Sequence, residues 1–426
     1  MREILMNPVK FGIQDRMNYI YYIMITFLGY YSQLAQADWP QFLGPERNGS
    51  QKDVVVPLTF KGDEPSINWK RDVGFGFSGP VVSDGKVFIF HRKANKCLIE
   101  SLNLDSGKLL WSFDYDTDYV DDFGFDKGPR AVPLIHNNKI YTYGAEGMLH
   151  ALDIEKGKVI WKKNLRDEYG AAKGFFGRAC SPIIIDDTLI IQAGGKDCGI
   201  LGLNPQNGDH QWTLSDHDAG YASPVETIIN NQKLVLCFTR EGFLCIDPKK
   251  GEVIIEKENR AEMNASVNAT SPVIIENNKV FLSACYGVGA SLWLIDIVNK
   301  KIKEQWKTND KLDCHYATPV LFEGHLIGYH GRQETGTQLR CIDVETGKIK
   351  WQSAQMPAGT VILSGKTLII LSERGELILA SANTEEFKIS ARGQILGAET
   401  RAMPALSDGY FLARDKRKLV SIKFNP

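Results

Sequence analysis

Residues able to recognise an oxyanion or an aromatic group recur at one kind of position in this chain, two to four residues ahead of a proline that opens an apolar run. Phe77 and Ser78 precede Pro80, Arg130 precedes Pro133, Arg178 precedes Pro182, and Tyr221 precedes Pro224. Asn268 precedes Pro272, His315 and Tyr316 precede Pro319, and Arg401 precedes Pro404. Three guanidiniums brought to one place would grip a carboxylate or other small anion, because the planar fork donates two parallel hydrogen bonds. The competing reading needs no ligand: Asp121, Asp122, Asp126 and Glu399 are at hand to pair with those arginines and hold the structure together. Two segments rich in glycine and aromatics, 119–129 (YVDDFGFDKGP) and 167–177 (DEYGAAKGFFG), are the loops expected to carry binding. Phe123, Phe125, Phe175 and Phe176 would mark a partner site if exposed and a capped channel if buried.

Catalytic constellations are harder to find. The eight histidines form neither an H-x-H nor an H-E-x-x-H pattern, and no G-x-S-x-G elbow or phosphate-binding loop occurs. Cys314 and His315 are adjacent, but neighbours on a strand point to opposite faces, which makes a poor metal site. Asp121 and Asp122 are the paired carboxylates a hydrolytic protein would need, yet sequence neighbours rarely form a catalytic pair. The eight cysteines (Cys97, Cys180, Cys198, Cys237, Cys245, Cys285, Cys314 and Cys341) include no C-x-x-C. They scatter through strand-like segments and are expected as small apolar core residues. Cys237 and Cys245 flank one turn, where a simple hairpin register sets them diagonally rather than opposite.

The elements that must position these residues repeat. A small or polar residue, then proline, then an apolar run occurs at Pro80, Pro133, Pro182, Pro224, Pro272, Pro319 and Pro404, with a copy lacking the proline at Gly359-Thr360-Val361. Each copy continues through an Asn, Asp or Gly turn into further short β-rich runs, the pattern of antiparallel strands joined by tight turns. A second signature, Asp-x-x-x-Gly-Lys-x-x-Trp, closes the unit at Trp161 and Trp351, and at Trp111 with its Asp105 two residues before Gly107-Lys108; looser copies stand at Trp212 and Trp306. One small sheet cannot bury both of its faces, so such units must stack around an axis. The expected fold is all-β: an eight-bladed β-propeller with four-stranded antiparallel blades and docked tryptophans. A seven-bladed ring follows if the copy at Gly359 is not a blade. The orphan strand around Trp69 and the terminal strand Leu419 to Phe424 would pair to close the ring. In that ring the residues ahead of each proline line one mouth of the axial channel.

The combined signature, with its Ser/Thr-Pro-Val strand, resembles the tryptophan-docking repeats of the pyrroloquinoline-quinone (PQQ)-like family from Trp69 to the C-terminus. The opening Asp38 to Pro45 (DWPQFLGP) also looks like the start of exported PQQ-like propellers. The family holds quinoprotein dehydrogenases and non-enzymatic propellers of the outer-membrane assembly factor BamB type, and the fold alone does not choose between them. A dehydrogenase would require calcium-chelated PQQ on the axis, an Asp base, an Asn, an acidic ligand, a Trp floor and often adjacent cysteines. The sequence has no adjacent Cys pair and no Trp free of the docking positions that is obvious as a floor.

The chain is 426 residues long, 43% hydrophobic and 24% charged, with a formal charge of −1. The near-balance gives no broad electrostatic footprint for nucleic acid. Basic residues precede an apolar stretch, Tyr19 to Tyr30, followed by Ala35-Gln36-Ala37, which reads as a cleaved signal peptide over 1–37. An uncleaved membrane anchor is the alternative, although the apolar run is short for a bilayer span. A lead-in over 38–65 and the propeller over 66–426 follow. A periplasmic or secreted monomer is expected, and not a lipoprotein, since no Cys precedes Cys97. Its expected role is a binding or scaffold module, without cofactor, for a protein, peptide or small anionic ligand at a mouth formed by Phe77, Arg130, Arg178, Tyr221, Asn268, His315, Tyr316 and Arg401; association with a membrane complex is compatible with that role. The alternatives are a PQQ- and calcium-dependent dehydrogenase and a polysaccharide-binding or hydrolytic propeller.

Overall fold

Alternating apolar residues and tight turns fold each repeat into one antiparallel sheet, and a computed structural model shows eight such sheets. It describes residues 37–424 apart from Ala219 and Ala265, so the expected signal peptide lies outside the described residues. All elements described here belong to the unit Asp38–Pro426. The inner strands of blades 1 to 6 begin at Val81, Leu134, Ile183, Val225, Val273 and Val320, those of blades 7 and 8 at Gly359 and Ala405. The copy at Gly359 is therefore a true blade, and the ring has eight. Among the described residues the one α-helix is the single turn Leu165–Tyr169, and no helix is long and apolar enough to cross a membrane.

Closure follows the expected route. Strand Ile67–Asp72 pairs antiparallel with Lys418–Lys423, with Trp69 opposite Ser421, and completes blade 8. The seam to blade 1 is then held by Arg71, which donates to Glu100, while His91 lies 3.3 Å from the same carboxylate.

The core lies between the blades. Apolar clusters join blade 1 to 2, 2 to 3, 3 to 4, and so on, each built from the facing surfaces of two neighbouring sheets. The docked tryptophans seal the outer margin of these seams. Trp111 Nε1 donates to the Ile154 carbonyl (3.0 Å), Trp161 to Pro205 (3.1 Å), Trp212 to Pro248 (3.0 Å), and Trp306 to Val344 (2.8 Å). Each ring also lies over the glycine of the next blade's signature. A Cβ at Gly157 would sit 2.4 Å from Trp111, and one at Gly251 2.5 Å from Trp212. The signature's Gly and Trp are thus two halves of one contact made between successive repeats. Blades 4 and 5 show the converse. Ile255 stands where blade 4 would carry its Trp, and Lys300 where blade 5 would carry its Gly. Both halves changed together, and Trp293 fills that seam from within blade 5.

The Ser/Thr before the proline has a similar meaning. Val132 N–H donates to Ser181 Oγ, Ser181 N–H to Ser223 Oγ, and Ser223 N–H to Ser271 Oγ, each at 2.9 Å. Ser271 N–H continues to Thr318 Oγ1 at 3.1 Å. A belt of hydrogen bonds therefore ties the inner strands of blades 2 to 6, and the proline beside it offers no free N–H to a foreign strand.

The lead-in is more than a tether. Trp39 pairs with Val82 of blade 1, and the Pro40 carbonyl accepts from Ile135 of blade 2. Arg47 donates to the carbonyls of Ser181 and Pro182 in blade 3. Ser50–Gln51 then adds a parallel strand to the inner strand Gly359–Ser364 of blade 7. Trp39 and Leu43 are 1% exposed and Arg47 5%. The segment crosses the axial channel and plugs it. In blade 7 Leu363 N–H donates to the Gly49 carbonyl, as Val82 of blade 1 and Ile135 of blade 2 donate to the carbonyls of Trp39 and Pro40.

Candidate functional site

On one side of the plug the channel opens as a blind cavity of about 400 Å³. Its floor is Phe42 and Leu43 of the lead-in. Its wall follows a simple rule: every residue three positions ahead of a repeat proline lines it. These are Phe77, Arg130, Ala179, Tyr221, Ala269, Tyr316 and Arg401, one from each proline-bearing blade. Blades 3 and 5 contribute only a methyl group there, which leaves room for the hole.

Residues four positions ahead behave differently, which corrects two assignments. Arg178 and Asn268 are 2% and 4% exposed and do not reach the cavity. The Arg178 guanidinium donates to the Glu146 carbonyl at 2.9 Å and to those of Ala171 and Ala145. Asn268 Nδ2 donates to the Thr239 carbonyl at 2.8 Å. The two hold blade tops together, because adjacent residues of an extended segment point in opposite directions. His315 is four ahead as well but lines the cavity, with Tyr316 beside it. Ser78 is fully buried and does not line this cavity.

The side chains at the mouth hold one another in place. Tyr221 hydroxyl accepts from the N–H groups of Phe175 (2.8 Å) and Phe176 (3.1 Å), which fixes the second long loop over the rim. His315 Nδ1 donates to Gln333 Oε1 (2.7 Å), and its Nε2 accepts from the Tyr286 hydroxyl (2.9 Å). Burial holds His315 below its usual pKa, so the ring is neutral at pH 7. Tyr316 donates to Glu373 (2.6 Å), and burial together with that carboxylate pushes its phenol well up.

The arginines are not free to hold an anion. Arg130 pairs with Asp121, Arg401 Nε lies 3.0 Å from Glu373, and Arg332 Nε lies 3.2 Å from Glu334. Each guanidinium therefore carries its own carboxylate, and their faces are taken by rings. Arg130 stands 5.0 Å from the centre of Phe77 and Arg401 5.8 Å from it, while Arg332 is 4.3 Å from Tyr286. The expected preference for a small anion gives way to a charge-balanced, aromatic pocket. Of the acids expected to serve, Asp121 binds Arg130, and Asp126 offers its carbonyl to the same side chain. Asp122 goes to Lys173 and Glu399 to Lys416. Asp121 and Asp122 thus have separate partners and form no catalytic pair.

The aromatic loops divide. Phe175 and Phe176 are half-buried, whereas Phe123 is 53% and Phe125 47% exposed, and Phe123 packs on Phe176 with centroids 5.2 Å apart. All eight cysteines are buried and unpaired, as expected of core residues, and Cys237 faces Leu244 while Cys245 faces Leu236. Cys314 is fully buried and His315 turns to the mouth, so the adjacent pair diverges.

Calcium-chelated PQQ, if bound on the axis, would have to sit against this cavity wall. Calcium takes six to eight oxygen ligands. Here the lining offers one carboxylate, Glu334, already held by Arg332, and the floor is Phe42 and Leu43, not tryptophan. Among the described residues no three His, Cys, Asp or Glu side chains converge on a point that could hold a metal. The residues present do not fit that cofactor.

Comparison with known proteins agrees with the architecture. The family model described as outer membrane protein assembly factor BamB matches residues 95–353. The chain belongs to this PQQ-like, BamB-type family. Curated relatives come from both of its branches. The quinoprotein alcohol dehydrogenase PedH of Pseudomonas putida is 27% identical over 139 residues, 31% of this chain and 22% of that protein. The outer membrane protein assembly factor BamB of Yersinia pestis is 25% identical over 167 residues, 38% of this chain and 39% of that protein. The matches thus span well under half the length of these relatives. Among solved structures, BamB from Moraxella catarrhalis superposes with a TM-score of 0.58 at 15% identity, covering 84% of this chain and 98% of that one. The quinohemoprotein alcohol dehydrogenase from Comamonas testosteroni gives 0.64 at 13% identity, over 90% and 80%. At these identities the likeness is one of fold.

Proposed function

We propose that this BamB-type propeller is a non-catalytic binding module, exported to the periplasm or beyond, whose mouth receives an apolar or aromatic side chain of a protein or peptide partner. The observation that carries the reading is the blind cavity itself: aromatic walls, three internally neutralised arginines, and the exposed Phe123 and Phe125 at its rim. About 400 Å³ lies within the range that small-ligand and side-chain pockets occupy. A rigid hole surrounded by exposed aromatics is the form in which a partner's anchor residue is buried most effectively. The BamB relatives, named for outer membrane protein assembly, support a protein as the occupant. Export rests on the apolar stretch Tyr19 to Tyr30 and the Ala35-Gln36-Ala37 site.

The similarity to PedH supports a second reading, a PQQ-dependent dehydrogenase. One titration separates the two. Tryptophan-containing peptides are expected to bind the purified protein, and Ala269→Trp, which fills the cavity from its wall, is expected to weaken them at least about tenfold. Calcium-dependent binding of PQQ with dye-linked alcohol oxidation, and no loss of peptide binding in Ala269→Trp, would replace the binding reading with the enzymatic one.

A further inference from the structure

The mouth does not end at its rim. Gln333 and Arg401 belong to the wall of the axial cavity and also to a second, polar depression that runs over blades 6 and 7 past Gln355 and Glu373. Ala398 and Glu399 of that depression in turn form one side of a third, lined by Phe75, Lys93, Lys416 and Arg417 where blade 8 meets blade 1. Lys416 links the far end back to the rim, donating to the Phe125 carbonyl (2.9 Å) and to Glu399 (2.9 Å). The three depressions share residues in sequence and form one track from the axis to the closing seam.

Charge changes along the track. At the axis each arginine has its own carboxylate. At the outer end Lys93 and Arg417 are exposed and form no ion pair among the described residues. Of the acids beside them, Asp72 pairs with Lys418, Glu399 pairs with Lys416, and Asp415 is committed to the backbone, accepting from the N–H groups of Gly397, Arg417 and Lys418. A track that is apolar at one end and cationic at the other matches an extended polypeptide with the reverse order of chemistry. Electrostatic complementarity of this kind sets orientation and selects the partner more than it adds affinity.

We propose that the partner is an extended polypeptide segment that seats one aromatic residue in the axial cavity and lays acidic residues against Lys93 and Arg417. This rests on the binding reading above and adds the partner's chemistry and direction. Lys93 and Arg417 lie on the surface, so replacing them leaves the blade cores intact.

The test is selection from a random dodecapeptide library on the wild-type protein and on the Lys93→Ser, Arg417→Ser double variant. Wild type is expected to enrich peptides with an aromatic residue and, to one side of it, two or more acids. On the double variant the aromatic should persist and the acids should disappear. A synthetic wild-type consensus peptide should bind the double variant about fivefold to tenfold more weakly, with the difference vanishing in high salt. Aromatic enrichment without acids, or the same acids on both proteins, overturns the track while leaving the mouth as a binding site. Failure to enrich aromatics, or enrichment unaltered in Ala269→Trp, overturns both.

Discussion

Arg130 and Arg178 occupy neighbouring blades and look interchangeable in the sequence, yet one residue of register gives them different work. Arg130, three positions before its proline, faces the cavity between Phe77 and Phe176, with Asp121 at its side. Arg178, four positions before, is sealed at a blade top and spends its donors on the carbonyls of blade 2 and its own loop. The blade-top role recurs: Arg340 of blade 6 donates to the carbonyls of Asp310 (2.6 Å) and Lys311 (2.9 Å), and Arg414 of blade 8 is fully buried with the carbonyl of Gly74 as acceptor. Burial pushes Arg414 down to about 10, which still leaves it charged at neutral pH. The ring thus uses one residue type twice, as a cross-tie above the blades and as a wall at the axis, and only direction separates the uses.

That contrast can be broken at its strongest point first. Arg178→Ala removes a buried charge-assisted donor and leaves carbonyls without partners, and is expected to cost about 3 kcal/mol in urea unfolding. A loss under about 1 kcal/mol would show that the cross-tie is dispensable. Moving the same side chain by one position sharpens the comparison. Ala179→Arg puts a guanidinium into the cavity wall without touching the tie, so the urea midpoint should hold while binding of a tryptophan-containing peptide falls about tenfold. Unchanged binding would mean that the wall as drawn is not where the peptide sits.

The smallest effect concerns the environment of a cross-tie. Near Arg340, burial and Asp310 raise the Asp313 carboxyl to about 7, against the pull of Arg340. A carboxyl raised in the folded state stabilises the fold below its usual value of 3.8, and that contribution is lost as pH rises to about 7. Asp313→Asn lacks the loss, so its advantage in thermal unfolding over wild type should be greatest at pH 8 and should shrink steadily towards pH 4. A pH-independent difference would place Asp313 in contact with water.

Much of this was open to a reader of the sequence, for a physical reason. Blade seams repeat, so the Trp and Gly of the signature announce themselves by recurrence, and the orphan strand at Trp69 announces closure by being incomplete. The Ser/Thr-Pro element was equally plain, although its meaning, a hydroxyl accepting from the preceding blade, emerges only when two repeats stand side by side. Register was harder. Both Arg130 and Arg178 stand a few residues before a proline in an irregular segment, where no alternation of apolar residues says which way a side chain points. The plug was hidden altogether. Arg47 meets Ser181 and Gln51 meets Ser364, contacts with no local periodicity to signal them.

The plug and the closing strand also set an order of events. The chain emerges from synthesis with 38–72 first, but the partners of that stretch include Leu363 and the strand Lys418–Lys423, among the last to appear. Middle blades can form as their own hairpins arrive, whereas the axis and the final seam must wait for loops of some 300 residues or more to close. Trp39 and Trp69 can settle early, on Val82 and on Leu104 and Gly107 of blade 1. Until the last strand arrives, however, the strand Ile67–Asp72 has no partner and a nascent molecule is a curved stack with two open ends. Its vulnerable interval lies at the end of synthesis, and a helper that shields the first 72 residues until the last strand arrives would meet it where it is weakest.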